Sequence, residues 1–373
     1  MKLSFVLKSG IALACGTLMA ACGGGVEDVS LPQAATTATV GGVASKGLIR
    51  NGSVKIFAAT SNGSIGTLLA VSTTDSQGRY TTVIANYSGP VIIEATGSYL
   101  DEATGQNKII DSSAPLHAAL PCDCATLSVA VTPLTELAYQ KAKTAIAGGA
   151  DVATAFSAAN TEVSDLYFFD ITTTLPVDPT PSVLQNAGND QRVYTLTLAA
   201  ISQMVKDTGG TVASVISSLN SAGNSAPAQV TTALTSFLNS NPNNQTGYKG
   251  VSLSLLLTGV TTTKVSALDV IITIPAGTAI PADATGTVSP VNFSLSGIAV
   301  SAFSSTNYIA AVGTTPAKLK VGIATLNPLT NGQFAVLGCS VPTATPPGAF
   351  VVSSVSAKDE NGVVIAGVGV AVQ

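Results

Sequence analysis

The feature that most limits what this chain can fold into is a double change of hydrophobic period. Between residues 38 and 131 the apolar side chains come in short β-like runs, at 53–58, 68–74, 80–84, 90–95, 108–110 and 125–131, with turn residues between them. Runs of that length and spacing predict strands whose alternate residues enter a core. At Thr132-Pro133-Leu134-Thr135-Glu136 the pattern switches. The threonine can cap a helix, the proline suits the first helical position, and the acid falls in the first turn. Leu134, Leu137, Ala138, Ala145 and Ile146 then recur at helical spacing, followed by Val152, Phe156, Ala159, Val163 and Leu166. After the Pro-rich segment 173–181 a third helix is predicted over 190–206, with Val193, Leu196, Ala200, Met204 and Val205 inward, and shorter helices over 211–221 and 227–239. Period two returns beyond the polar run 239–247. Leu268, Val270, Ile272 and Ile274 alternate there, as do Leu319, Val321 and Ile323 against Lys318 and Lys320. The expected fold class is therefore multidomain: two β-sandwiches separated by an α-helical region.

The N-terminal residues read as a processing signal. Lys2 and Lys8 give a basic start, and Gly10 to Ala20 form an apolar stretch too short to span a bilayer. Leu18-Met19-Ala20-Ala21-Cys22 resembles the bacterial lipobox, with methionine where leucine is usual. That resemblance implies diacylglycerol on Cys22, a durable multi-chain anchor, and, with Gly23 following, the outer membrane. The expected organisation is a lipoprotein signal peptide over 1–22, a linker over 23–37, a first β-sandwich over 38–131, the helical region over 132–240, a linker over 241–252 and a second β-sandwich over 253–373.

Composition narrows the chemistry. Removing residues 1–22 takes two lysines and no acid, so the formal charge moves from -4 to -6. Nucleic-acid binding needs a clustered cationic footprint, and this chain lacks the charge for one. With one histidine, His117, two-His metal motifs are excluded; no GxSxG elbow, P-loop or GxGxxG is present. The histidine reads as structural or exposed. Asp101 and Glu102, with Asp111 and Asp123, could gather oxygen ligands for a hard cation, but their spacing is that of solvated loops. No catalytic residue, cofactor or metal is therefore expected. Three cysteines remain after export, Cys122, Cys124 and Cys339, an odd number. A Cys122–Cys124 bridge and a longer bridge to Cys339 are both open.

Thr74-Asp75-Ser76-Gln77-Gly78-Arg79-Tyr80 is a turn with an aspartate to hold the backbone, a glycine for positive φ and an aromatic that returns to the core. With Val43-Ala44 before it, this hairpin resembles the carboxypeptidase regulatory-like, prealbumin-type sandwich and the B-type repeats of collagen adhesins. The adhesin resemblance implies an internal Lys to Asn/Asp crosslink, for which Lys55, Glu94 and Asn107 or Asp111 have the right order. Strand alternation equally explains them as outward-facing residues. In the C-terminal third, the order of strand patterns over 267–274, 293–303, 318–324, 332–336 and 350–357, with the Glu360-Asn361-Gly362 turn, resembles a cohesin-like sandwich of the carbohydrate-binding superfamily. These resemblances imply a lipid-anchored envelope or cell-surface binding protein that engages a protein partner, with polysaccharide binding as the alternative. Sugar platforms favour flat exposed aromatics, and aromatics are 5% with no tryptophan. Tyr99 and Tyr308 are the binding candidates.

Overall fold

The computed structural model describes residues 37–122, 126–262 and 264–373. Cys22, Asp123 and Cys124 lie outside the described residues. The N-terminal β region contains β1 (Thr37–Ala44), β2 (Arg50–Ala59), β3 (Ile65–Thr73), β4 (Arg79–Ala85), β5 (Val91–Leu100), β6 (Asn107–Ile110), β7 (Leu116–Leu120) and β8 (Thr126–Val131). One sheet has the order β4-β1-β8, with β1 antiparallel to β4 and parallel to β8. The other has the order β3-β2-β5-β6, and β7 also pairs with β5.

Local chemistry sets this arrangement. In the turn before β4, Asp75 Oδ1 accepts the backbone N–H of Gln77 and Arg79 at 2.7 and 2.9 Å, and Gly78 takes φ +72°. Tyr80 then re-enters the core and donates its hydroxyl to Val129 O at 2.9 Å. Gly42 pairs with Val129 across the parallel β1–β8 ladder, and a Cβ there would stand 1.8 Å from Val129 O. Only glycine lets the two backbones approach that closely.

The helices are α1 (Pro133–Ala147), α2 (Val152–Tyr167), α3 (Pro181–Asn186), α4 (Asn189–Thr208), α5 (Val212–Ala222) and α6 (Ala226–Ser240). Thr132 caps α1 as its sequence predicts: its hydroxyl accepts the N–H of Leu134 and Thr135, while Thr135 Oγ1 accepts the N–H of Thr132. The region is not a free-standing spacer. Strands and helices share one continuous apolar core, from Val40 and Ile56 through Ile92 and Phe156 to Tyr194 and Phe237. Alternation on β5 explains how. Val91, Ile93 and Ala95 point one way, while Ile92 and Glu94 point the other, opposite Ala119 and His117 of β7 and toward α1 and α2. A strand covered on both faces loses its period-two signal, which is why β7 is absent from the sequence reading.

The C-terminal region holds β9 (Tyr248–Thr258), β10 (Val265–Thr273), β11 (Phe293–Leu295), β12 (Phe303–Ile309), β13 (Lys318–Leu329), β14 (Gly332–Pro342), β15 (Val351–Lys358), β16 (Val364–Ile365) and β17 (Gly369–Val372). Two sheets, β12-β13-β10-β15-β16 and β11-β14-β9-β17, enclose a second core. Leu268, Val270, Ile272 and Ile274 from one side, and Leu255, Leu257, Phe334 and Leu337 from the other, are buried in it. The described residues thus form a β-rich protein of four sheets with helices packed against the first pair. The segment 241–252 is not an extended linker: β9 begins at Tyr248, whose ring is fully buried in the first core. Asn241 is buried too, donating to Gln203 Oε1 at 2.6 Å and to Ala103 O at 3.0 Å.

Candidate functional site

A buried polar cluster sits where the first β region meets α4. Lys46, in the turn between β1 and β2, is fully buried. Its ammonium lies 3.8 Å from Glu102 Oε2 and 4.0 Å from Asp101 Oδ2, and 5.4 Å from the centre of the Tyr99 ring. Ser202 of α4 accepts from Lys46 and donates to Glu102 Oε2 at 2.6 Å. Lys108 reaches Asp101 Oδ2 from outside at 3.5 Å. Burial pushes the Lys46 amine below its ordinary value, against the pull of the two carboxylates, and pushes the Glu102 carboxyl up. Lys46 went unnoticed in the sequence. The available signal was a lone cation inside Val43-Ala44-Ser45-Lys46-Gly47-Leu48-Ile49, an otherwise uncharged segment entering a strand.

Asp101 and Glu102 therefore serve these ion pairs rather than a hard cation, and no group of acids, histidines and cysteines able to hold a metal occurs among the described residues. Asp111 is exposed, with Oδ1 taken by the N–H and hydroxyl of Ser113, which hold its carboxyl below the usual range. Tyr99 is 3% exposed and stacks under Lys46, so it offers no flat platform to a sugar. Tyr308 is half-buried on β12, its N–H donated to Gly286 O at 2.7 Å, and burial raises its hydroxyl pKa. Lys55 is 45% exposed and pairs at 3.8 Å with Glu94, which is 15% exposed beside His117 and so does not face outward as strand alternation predicts, while Asn107 is exposed at the start of β6.

His117 is held rather than presented. Its Nδ1 lies 2.6 Å from Glu136 Oε2, which also accepts the His117 backbone N–H at 2.9 Å, and its ring packs at 4.8 Å on Tyr139. Nε2 is buried without a hydrogen-bond partner, 3.8 Å from Glu94 Oε2. Cys122 is buried at the end of the first core, and its backbone exchanges hydrogen bonds with Gly89. Cys339 is a buried free thiol on β14, and burial pushes its pKa up to about 12.

Two surface features remain. A cleft of about 260 Å³ opens beside Asp101 and Glu102, closed on its other side by residues 178–181 and 243–246. At the edge of the C-terminal β12 sheet, Val300, Phe303 and Leu326 are 73%, 77% and 95% exposed. Register sets Phe303 opposite Ala324, with Leu326 two residues further along β13, and Val300 precedes Phe303 by three residues. Compared with known proteins, the chain matches no protein-family model and no curated protein. No helix among the described residues is long and apolar enough to cross a membrane.

Proposed function

We propose that this chain is a lipid-anchored envelope protein, tethered through Cys22 and exposed from the outer membrane, that binds a protein partner and performs no catalysis. The exposed apolar residues Phe303 and Leu326, with Val300 three residues before Phe303, carry this reading. Each of these side chains leaves most of its apolar surface in water, and clustered apolar exposure of that kind marks interaction surfaces. Aromatic anchors at such a patch dominate binding energy. The two pairs of sheets support the domain reading as well: a carboxypeptidase regulatory-like sandwich over 38–131 and a cohesin-like sandwich in the C-terminal third, the latter a fold type used for partner binding.

The test replaces Phe303 with a photo-cross-linking phenylalanine analogue in the cell. The expected result is one adduct whose mass exceeds that of the chain by an amount other than its own mass, reduced in the Leu326→Asp background. Absence of any adduct, or adducts only between copies of this chain, overturns the reading.

A further inference from the structure

The cleft beside Asp101 and Glu102 is assembled from segments remote in sequence. Gly47 to Arg50 lead into β2, Leu100 to Gly105 turn from β5 to β6, Asp178 to Thr180 precede Pro181 at the start of α3, Phe237 lies on α6, and Asn243 to Thr246 precede β9. The backbone approach is tight at its base, where a Cβ on Gly47 would lie 2.4 Å from Leu100 O. Its volume is just below the roughly 300–1,000 Å³ usual for ligand sites, so an occupant must be small.

The charges on its wall are already matched. Arg50 pairs with Asp178 at 3.4 Å, Lys108 with Asp101 at 3.5 Å and Lys46 with Glu102 at 3.8 Å. A charged ligand would have to break one of these pairs, whereas a neutral one would not. Hydrogen-bonding capacity is left over. Among the described residues, the Gln245 carboxamide and the Thr180 hydroxyl have no partner, and Arg50 uses one guanidinium nitrogen. Planar carboxamide, carboxylate and guanidinium groups each reach two adjacent hydroxyls at once. Leu100, 48% exposed at the rim, and Pro179 add an apolar surface suited to the C–H face of a ring. The walls are mostly turns and loop segments, and the strand ends at Arg50 and Leu100 are already paired within the sheet, so an extended peptide finds no ladder to join.

We propose that this cleft is a binding site for a neutral sugar ring, held by Arg50, Asp178, Thr180 and Gln245. The surface is distinct from that around Phe303, so either proposal can fail alone. Saturation-transfer difference NMR on the full lipidated chain in phosphocholine micelles tests it, with D-glucose, D-galactose and N-acetyl-D-glucosamine as probes and triglycine as competitor. The expected result is transfer to the ring protons of at least one sugar, reduced fivefold or more by Gln245→Ala and by Thr180→Ala and unchanged by Lys320→Ala. Gln245, Thr180 and Lys320 are exposed, so these variants retain the fold. No transfer to any of the three sugars, equal transfer in every variant, or displacement by triglycine overturns the proposal.

Discussion

Lys46 Nζ stands 3.8 Å from Glu102 Oε2 with both side chains inside the protein, and Ser202 of α4 bridges them. This contact ties the β1–β2 turn and the β5–β6 turn to the central helix. Removing one partner of a buried pair strands the other charge, which costs about 3–5 kcal/mol. Lys46→Met should lower the unfolding free energy by about that amount; Glu102→Gln, which leaves Lys46 facing Asp101 at 4.0 Å, should lower it by less, and the double variant, in which Asp101 keeps Lys108 at 3.5 Å, should lose clearly less than the sum. Denaturant titration of the four proteins measures it.

The same pair sets a pH dependence. Burial holds the Glu102 carboxyl above its unfolded value of 4.5, so the folded chain keeps this proton longer than the unfolded one. Its contribution is fully present below about pH 4.5 and is lost as pH rises through the folded pKa. Relative to Glu102→Gln, the wild-type chain should therefore lose stability as pH rises across that window. An identical slope in both proteins would show that Glu102 titrates there as it does in water.

Cys339 should behave as an inert thiol. With its pKa pushed from 9.0 to about 12 by burial, almost none is thiolate at pH 8. Iodoacetamide at pH 8 should leave the Cys339 peptide unmodified in the native chain and alkylate it in guanidinium, as read by peptide mass mapping. The folded pKa is raised, so this thiol's contribution to stability is present below pH 9.0 and lost between 9.0 and about 12.

What the sequence made legible follows from what each residue faces. The cap at Thr132-Pro133 could be read because its signal is local backbone chemistry, which burial on every side leaves intact, and the alternation of Leu319, Val321 and Ile323 because β13 buries one face there. The buried β7 could not, since Leu116, Ala118 and Ala119 are covered from both sides. Asn241 misled in the opposite direction. A polar run ordinarily marks a boundary, yet here its amides satisfy buried carbonyls and hold the run against α4. The pairing of Lys46 with Glu102 spans contacts distant in sequence, which no local pattern encodes.

The anchor is tested separately from the fold. If Cys22 carries the acyl chains, Cys22→Ala should move the chain from the membrane pellet to the soluble fraction and abolish incorporation of radiolabelled palmitate. Retention of the variant in the pellet at wild-type level would rule out Cys22 as the tether.

The final prediction concerns where the C-terminal β region begins. Its core is closed: Leu255, Leu268, Val321 and Phe334 pack with one another in a cluster separate from that of the helices. A fragment starting at residue 253 removes the first half of β9, where Tyr248 to Ser252 pair with Pro342 to Gly338 of β14. Those five residue pairs carry about four to six ladder bonds at about 0.5–1 kcal/mol each, so their loss should cost about 3 kcal/mol. For a domain of this size that lowers Tm by roughly 10 °C. Residues 247–373 should therefore show β-rich circular dichroism and a cooperative melt, while residues 253–373 melt about 10 °C lower or fail to fold. Equal melting temperatures would show that the start of β9 belongs energetically to the helical region, where Tyr248 is buried and Asn239 holds Gly250 through its side chain at 2.9 and 3.2 Å.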